Sequence, residues 1–248
     1  MHSTKKNIPN CITCLNLLSG CLAVMMAFHP LEHFAFGWYG WQWSIVFIFA
    51  ATLFDFLDGF AARALHAYSD LGKELDSLSD LVSFGVAPAF LLFNILGRFH
   101  SHQPGLASMR WVHYAVFLIP LMGAWRLARF NVRDADGDNS VFRGLPIPAN
   151  ALFWIGYVNW IWKYGVPEDY VVALGILLIS LSMVSNLVLP SLKFKNLRFK
   201  ENKRRYFIIL ATIVFVACFG LSGLTWAMII YLLMGVFTRE STKNPVKK

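Results

Sequence analysis

Along this chain, charged and apolar positions separate into long blocks. Stretches free of Asp, Glu, Lys and Arg run over 7–31, 33–54, 81–97, 111–125, 144–162, 170–192 and 206–238, and several reach the roughly 20 residues that a spanning helix needs. The last is long enough for two helices, with a turn signal at Gly220-Leu221-Ser222-Gly223 in its middle. The pattern predicts helices over 11–29, 38–64, 75–97, 111–129, 149–163, 170–190, 206–219 and 224–237. The expected fold is all-α: a polytopic integral membrane protein of about eight transmembrane helices, with 1–248 forming one integral domain. Only Lys5 and Lys6 precede the first run and no small-residue cleavage pattern follows it, so it is expected to stay as a helix.

Composition supports this division. With 57% hydrophobic, 16% aromatic and only 15% charged residues, the chain is too apolar for a soluble domain, and disordered, collagenous and disulfide-scaffold classes are excluded. Placing the N-terminus and eight spans by the positive-inside rule leaves only Arg98, Arg110 and Lys163 on the outer side. Seven spans would put the basic C-terminal tail outside. Both termini are therefore expected in the cytoplasm, with a bacterial inner membrane suiting so compact a chain. The formal charge of +8 reflects topology and attraction to anionic membrane lipids, and no nucleic-acid partner is expected. The basic stretch from Lys193 to Arg205 either marks topology or enriches an anionic substrate at the surface. Cys11, Cys14, Cys21 and Cys218 lie inside apolar runs and are expected to be reduced and buried.

Aspartate within an apolar helix is costly and points to function. Asp55 and Asp58 are spaced i, i+3 at the inner end of the second span, and Asp76 and Asp80 i, i+4 at the start of the third. Each pair occupies one helix face. Two facing pairs make a box of carboxylates that one or two divalent cations would hold ionised, and hard oxygen ligands suit Mg2+, Mn2+ or Ca2+ rather than zinc. Gly59 and Ala62 continue the acidic face as a strip of small residues, with Arg63 beside it. Cations together with an arginine fork are what a diphosphate-bearing substrate needs; helix packing alone would also account for the small residues.

Asp55-x-x-Asp58-Gly59-x-x-Ala62-Arg63, then Gly72, Asp76 and Asp80, resemble the complete signature of the CDP-alcohol phosphotransferase family. The resemblance implies a six-helix catalytic core, here 10–190, often dimeric, with 206–237 as an added C-terminal helix pair. It also implies transfer of a phosphatidyl group from a CDP-linked lipid to an alcohol, with release of CMP. Asp55, Asp58, Asp76 and Asp80 resemble the ligands of two cations, with Asp80 also the general base. Gly59, Ala62, Arg63 and Gly72 resemble the nucleotide-binding positions, and Ser69 is placed near a phosphate by the same analogy. The segment Pro9-Asn10-Cys11-Ile12-Thr13-x-x-Asn16 is similar to the one that opens the first helix beside the cytidine, which adds Asn10 and Thr13 to the CDP-lipid site; helix capping is the other reading of both residues.

A second stretch, Arg126-Leu127-Ala128-Arg129-Phe130-Asn131 followed by Phe142-Arg143-Gly144-Leu145-Pro146-x-Pro148-Ala149, resembles the phosphatidylserine synthase branch, as does Met183-Val184-Ser185-Asn186. Leu187-Val188-Leu189-Pro190 departs from the branch's commoner pattern of an arginine and tyrosines. The resemblance implies CDP-diacylglycerol and L-serine as substrates and a homodimer as the assembly. Arg126 and Arg129 at i, i+3 suit a serine carboxylate, with Asn131 orienting the head group. Glycerol phosphate or inositol phosphate acceptors would want the same arginines, and plain cytoplasmic anchoring also accounts for them. A divalent-cation transporter is the alternative of a different class, although these carboxylates gather at one end only.

Overall fold

The computed structural model describes residues 2–100, 113–135, 144–187, 189 and 199–237. Among them the chain is helical: α1 (His2–Phe28), α2 (Gly40–Ala64), α3 (Asp70–Asp80), α4 (Ala87–His100), α5 (Leu118–Ala135), α6 (Ile147–Tyr164), α7 (Asp169–Val184), α8 (Phe199–Phe219) and α9 (Gly223–Phe237). Local chemistry sets several of the ends. Pro9 lies inside α1, whose helical path starts upstream of the expected 11–29. The chain leaves α2 through His66 in the left-handed region (φ 49°), with Ala67 N–H donating back to Ala62 O at 2.9 Å, a Schellman-type termination. Ser69 then caps α3 by accepting from Gly72 N–H at 3.0 Å. Pro146 precedes α6 and Pro148 sits in its first turn, where a missing N–H costs nothing.

Five stretches among the described residues are long and apolar enough to cross a membrane: Asn7–Phe28, Gly40–Ala64, Asp70–Phe99, His113–Val132 and Asn202–Val236. This makes the protein a multi-pass membrane protein, with fewer clear spans than the eight expected from the uncharged runs. The shortfall lies in α6, whose apolar character is diluted by Asn150, Asn159, Tyr157 and Tyr164, in α7, which has only 16 residues, and in Asn202–Val236, one stretch where two spans were expected. The last stretch is interrupted by a 3-10 turn at Gly220–Ser222, and α8 and α9 pack against each other across it, as the turn signal predicts.

α1 and α2 lie along one another, while α6 packs among the other elements with Trp154, Ile155 and Ile161 buried. The C-terminal pair docks onto α6 through buried polar contacts: Thr225 Oγ1 donates to Phe153 O at 3.0 Å, and Asn159 Nδ2 donates to Ser222 Oγ at 2.8 Å. Hydrogen bonds of this kind between helices stand in for the hydrophobic drive that lipid cannot supply.

One expectation is corrected. Cys11, Cys14, Cys21 and Cys218 are unpaired but exposed rather than buried. In a membrane protein the outside of the bundle is itself apolar, so a small weakly polar side chain gains nothing by turning inward. Phe142-Arg143 and most of the basic stretch from Lys193 onward lie outside the described residues.

A second difference is in the third predicted span. Between α3 and α4 the chain stays on the helical path but widens into a π-helical turn at Leu81–Val86. Widened turns of this type are rare and concentrate at functional sites. This one follows directly on Asp80.

Candidate active site at one end of the helix bundle

The C-terminal part of α2, the later turns of α3 and residues 10–16 of α1 meet at one end of the bundle. There Asp55, Asp76 and Asp80 each present a carboxylate oxygen, and the three oxygens lie within 4.8 Å of one another. The i, i+4 spacing of Asp76 and Asp80 puts both on one face of α3, and packing turns that face toward Asp55. Asp58, one turn along α2, is 6% exposed and stands close enough to act electrostatically on Asp76 and Asp80. Thus the structure draws three of the four expected aspartates into a tight group and sets the fourth beside it. Asp58 Oδ2 and Asp76 Oδ1 are buried without a hydrogen-bond partner. Like charges so close, with acceptor oxygens left over, fit a hard divalent cation, which would satisfy both deficits at once.

α1 closes the other side of this group. Thr13, 3% exposed, lies within hydrogen-bonding reach of Asp58, and its hydroxyl also donates to Pro9 O at 3.0 Å. Ser79 Oγ donates to Leu75 O at 2.8 Å and approaches Thr13 O at 3.3 Å, which ties α3 to α1. Asn10 reaches over the start of α3: a Cβ on Gly72 would stand 2.9 Å from Asn10 Oδ1 and 3.0 Å from Ser69 Oγ. Only glycine leaves that approach open. Ser69, expected near a phosphate, accepts the capping bond of α3, which leaves its hydroxyl proton to donate. Gly59 and Ala62 are half-buried on α2, and Arg63 Nη1 lies 3.4 Å from where a Gly59 Cβ would be. The exposed Arg63 guanidinium therefore folds back over the small-residue strip.

The three residues expected to hold the acceptor divide. Arg126 is half-buried and stands within electrostatic range of Asp80 and of Tyr231 on α9, and its buried Nε has no hydrogen-bond partner. Arg129 points elsewhere: Nη1 donates to Val184 O at 2.9 Å and Nη2 to Asn186 Oδ1 at 3.0 Å, clamping α5 to the end of α7. Asn131 Nδ2 donates to Ser77 Oγ at 2.9 Å, and its backbone O accepts from Lys73 Nζ at 3.3 Å, which ties α5 to α3. The i, i+3 spacing put both arginines on one face, but the end of α7 that engages Arg129 is far away in sequence. Composition gave no sign of Tyr231, because a tyrosine in the last apolar run looks like any interfacial aromatic residue.

Comparison with known proteins adds a family to this geometry. The sequence model of the family described as CDP-alcohol phosphatidyltransferase matches residues 6–190. The chain is 36% identical to a CDP-diacylglycerol–serine O-phosphatidyltransferase of Methanocaldococcus jannaschii over 182 residues, covering 73% of this chain and 75% of that protein. It is 30% identical to a protein of the same name from Helicobacter pylori over 236 residues, covering 92% and 89%. An archaetidylserine synthase of Methanothermobacter thermautotrophicus is 31% identical over 189 residues, covering 74% and 69%. The match over 6–190 contains every aspartate of the cluster and stops short of α8 and α9, and it shows that this chain belongs to the CDP-alcohol phosphatidyltransferase family.

Proposed function

We propose that this protein transfers the phosphatidyl group of CDP-diacylglycerol to L-serine, giving phosphatidylserine and CMP. The observation that carries the reading is the juxtaposition of the Asp55, Asp76 and Asp80 group with a half-buried arginine, Arg126, in a chain whose relatives are named for serine transfer. A divalent cation, Mg2+ or Mn2+, held by Asp55, Asp76 and Asp80 with Asp58 alongside would neutralise charge on the diphosphate. The rest is done by the chain. Asn10, Thr13 and Arg63 line the CDP-lipid side, where Gly59, Ala62 and Gly72 leave room for the nucleotide. Arg126 holds the serine carboxylate in a fork. The serine hydroxyl oxygen attacks the lipid-proximal phosphorus, its proton passes to Asp80, and the bond from that phosphorus to the oxygen of CMP breaks. The site opens on the cytoplasmic side of the membrane, where cytidine and serine enter from water while the acyl chains stay in lipid.

The test is CMP release by the detergent-purified protein with CDP-diacylglycerol and Mg2+ or Mn2+, with and without L-serine. Serine-dependent release abolished by EDTA is expected. Release only with glycerol phosphate or inositol phosphate would overturn the acceptor, and cation flux without CMP release would overturn the reaction.

The two arginines provide a sharper prediction. Arg126→Gln is expected to raise KM for serine at least about tenfold, as loss of a charge-assisted pair worth about 1.5–3 kcal/mol requires, with KM for CDP-diacylglycerol unchanged. Arg129→Gln is expected to lower thermal stability in detergent with a smaller effect on KM for serine. The reverse pattern would move the acceptor site to Arg129.

A further inference from the structure

The carboxylate of Asp80 is oriented by a buried polar chain that begins in the π-turn. Asn16 on α1 is fully buried, and its Nδ2 donates to Asp80 Oδ1 at 3.4 Å. Ser83, also fully buried, lies in the π-turn and donates to Asn16 Oδ1 at 2.7 Å, with Asn16 backbone O a second acceptor at 3.0 Å. An amide can turn either end toward a neighbour. Here the carboxylate, which when ionised can only accept, sets the orientation, with nitrogen to Asp80 and oxygen to Ser83, whose hydroxyl donates to it.

The π-turn makes this possible, because its wider path sets Ser83 against α1 directly after Asp80. The approach is close: a Cβ on Gly20 would stand 2.4 Å from Ser83 Oγ. From the opposite side Asn150 Nδ2 donates to Phe84 O at 3.1 Å, and Trp154 Nε1 donates to Asn150 Oδ1 at 2.9 Å. The turn is thus held by α1 and by α6, each through a fully buried asparagine.

We propose that Asn16, locked by Ser83 of the π-turn, is a positioning residue for Asp80. It engages one oxygen of that carboxylate and so aims the remaining lone pairs at the acceptor hydroxyl. The role rests on the assignment of Asp80 as the base in the proposed transfer. Groups of this kind, one step behind a reacting carboxylate, are typically worth about 10–100-fold in activity.

The experiment is steady-state CMP release by the full-length protein in detergent, comparing wild type with Asn16→Asp, Asn16→Ala, Ser83→Ala and the double variant Asn16→Ala/Ser83→Ala. Asn16→Asp keeps size and the Ser83 hydrogen bond but replaces the donor to Asp80 with an oxygen. Its kcat is expected to fall about 10–100-fold, with KM for CDP-diacylglycerol and for serine unchanged. Ser83→Ala is expected to lower kcat less. Because Ser83 acts through Asn16, the double variant is expected to match Asn16→Ala alone instead of multiplying the two losses. Wild-type kcat in Asn16→Asp, losses confined to KM, or multiplicative losses would overturn the positioning role. Absence of serine-dependent release from the wild type would instead overturn the functional reading, so the two failures are told apart.

Discussion

Asp80→Asn is expected to lower serine-dependent CMP release by about 10²–10⁴-fold, the range for loss of a positioned general base, while the purified protein stays folded. Asp80 is 9% exposed and shares its cluster with Asp55 and Asp76, so the substitution changes chemistry in a place where it hardly changes shape. An amide cannot take the serine proton and is a poorer ligand for a hard cation. The expectation for stability runs the other way. Removing one of three charges whose oxygens lie within 4.8 Å of one another relieves like-charge repulsion, so the metal-free variant should melt no lower than the metal-free wild type in the same detergent. CMP release with and without serine, paired with thermal unfolding in EDTA, checks both halves. Turnover at the wild-type rate would remove Asp80 from the role of base.

Gly144→Val is expected to be the most damaging substitution outside the cluster. Gly144 has φ 79°, and a Cβ there would stand 2.2 Å from Met183 O, a backbone atom that cannot swing away. Forcing a β-branched residue into the left-handed region costs about 1–3 kcal/mol, and the overlap adds about 1–3 kcal/mol more. The same junction carries Gly144 N–H donating to Leu187 O at 2.9 Å and Leu145 N–H donating to Ser182 O at 3.0 Å. Arg129 reaches it too, through Val184 O and Asn186 Oδ1. Pushing the start of α6 off the end of α7 would therefore loosen α5 as well, and with it Arg126. A fall in the thermal midpoint on the order of 10 °C is expected in detergent, together with weakened serine dependence. Retention of the wild-type midpoint would mean that the junction does not matter to the fold.

This junction also shows how far the sequence could be read. Gly144 and Met183–Asn186 stood out as separate stretches resembling one branch of a family, with no indication that they touch. Their contact comes from the packing of α6 on α7, which no periodicity encodes. Asp55, Asp58, Asp76 and Asp80 were legible because their spacing is helical: 3.6 residues per turn puts i, i+3 and i, i+4 neighbours on one face, and charge inside an apolar run has few innocent explanations. The spacing could not say that three of the four would close to within 4.8 Å with Asp58 beside them, since that depends on the approach of α2 to α3. The π-turn at Leu81–Val86 left no trace either, because its residues are nearly as apolar as any span, and the partners that hold it, Asn16 and Asn150, come from other helices.

By itself, then, the sequence determined that this is a helical membrane protein carrying an acidic centre of a known chemical type, since burial in lipid and helical periodicity act on each segment alone. Tertiary structure decided which side chains stand beside that centre. It set Arg126 within electrostatic range of Asp80 and Arg129 against the end of α7, made Ser69 the cap of α3, and brought Asn16 and Ser83 behind Asp80. Hydrogen bonds between residues 55–72 positions apart exist only once the helices have packed, and they settle where each polar group in the interior must point.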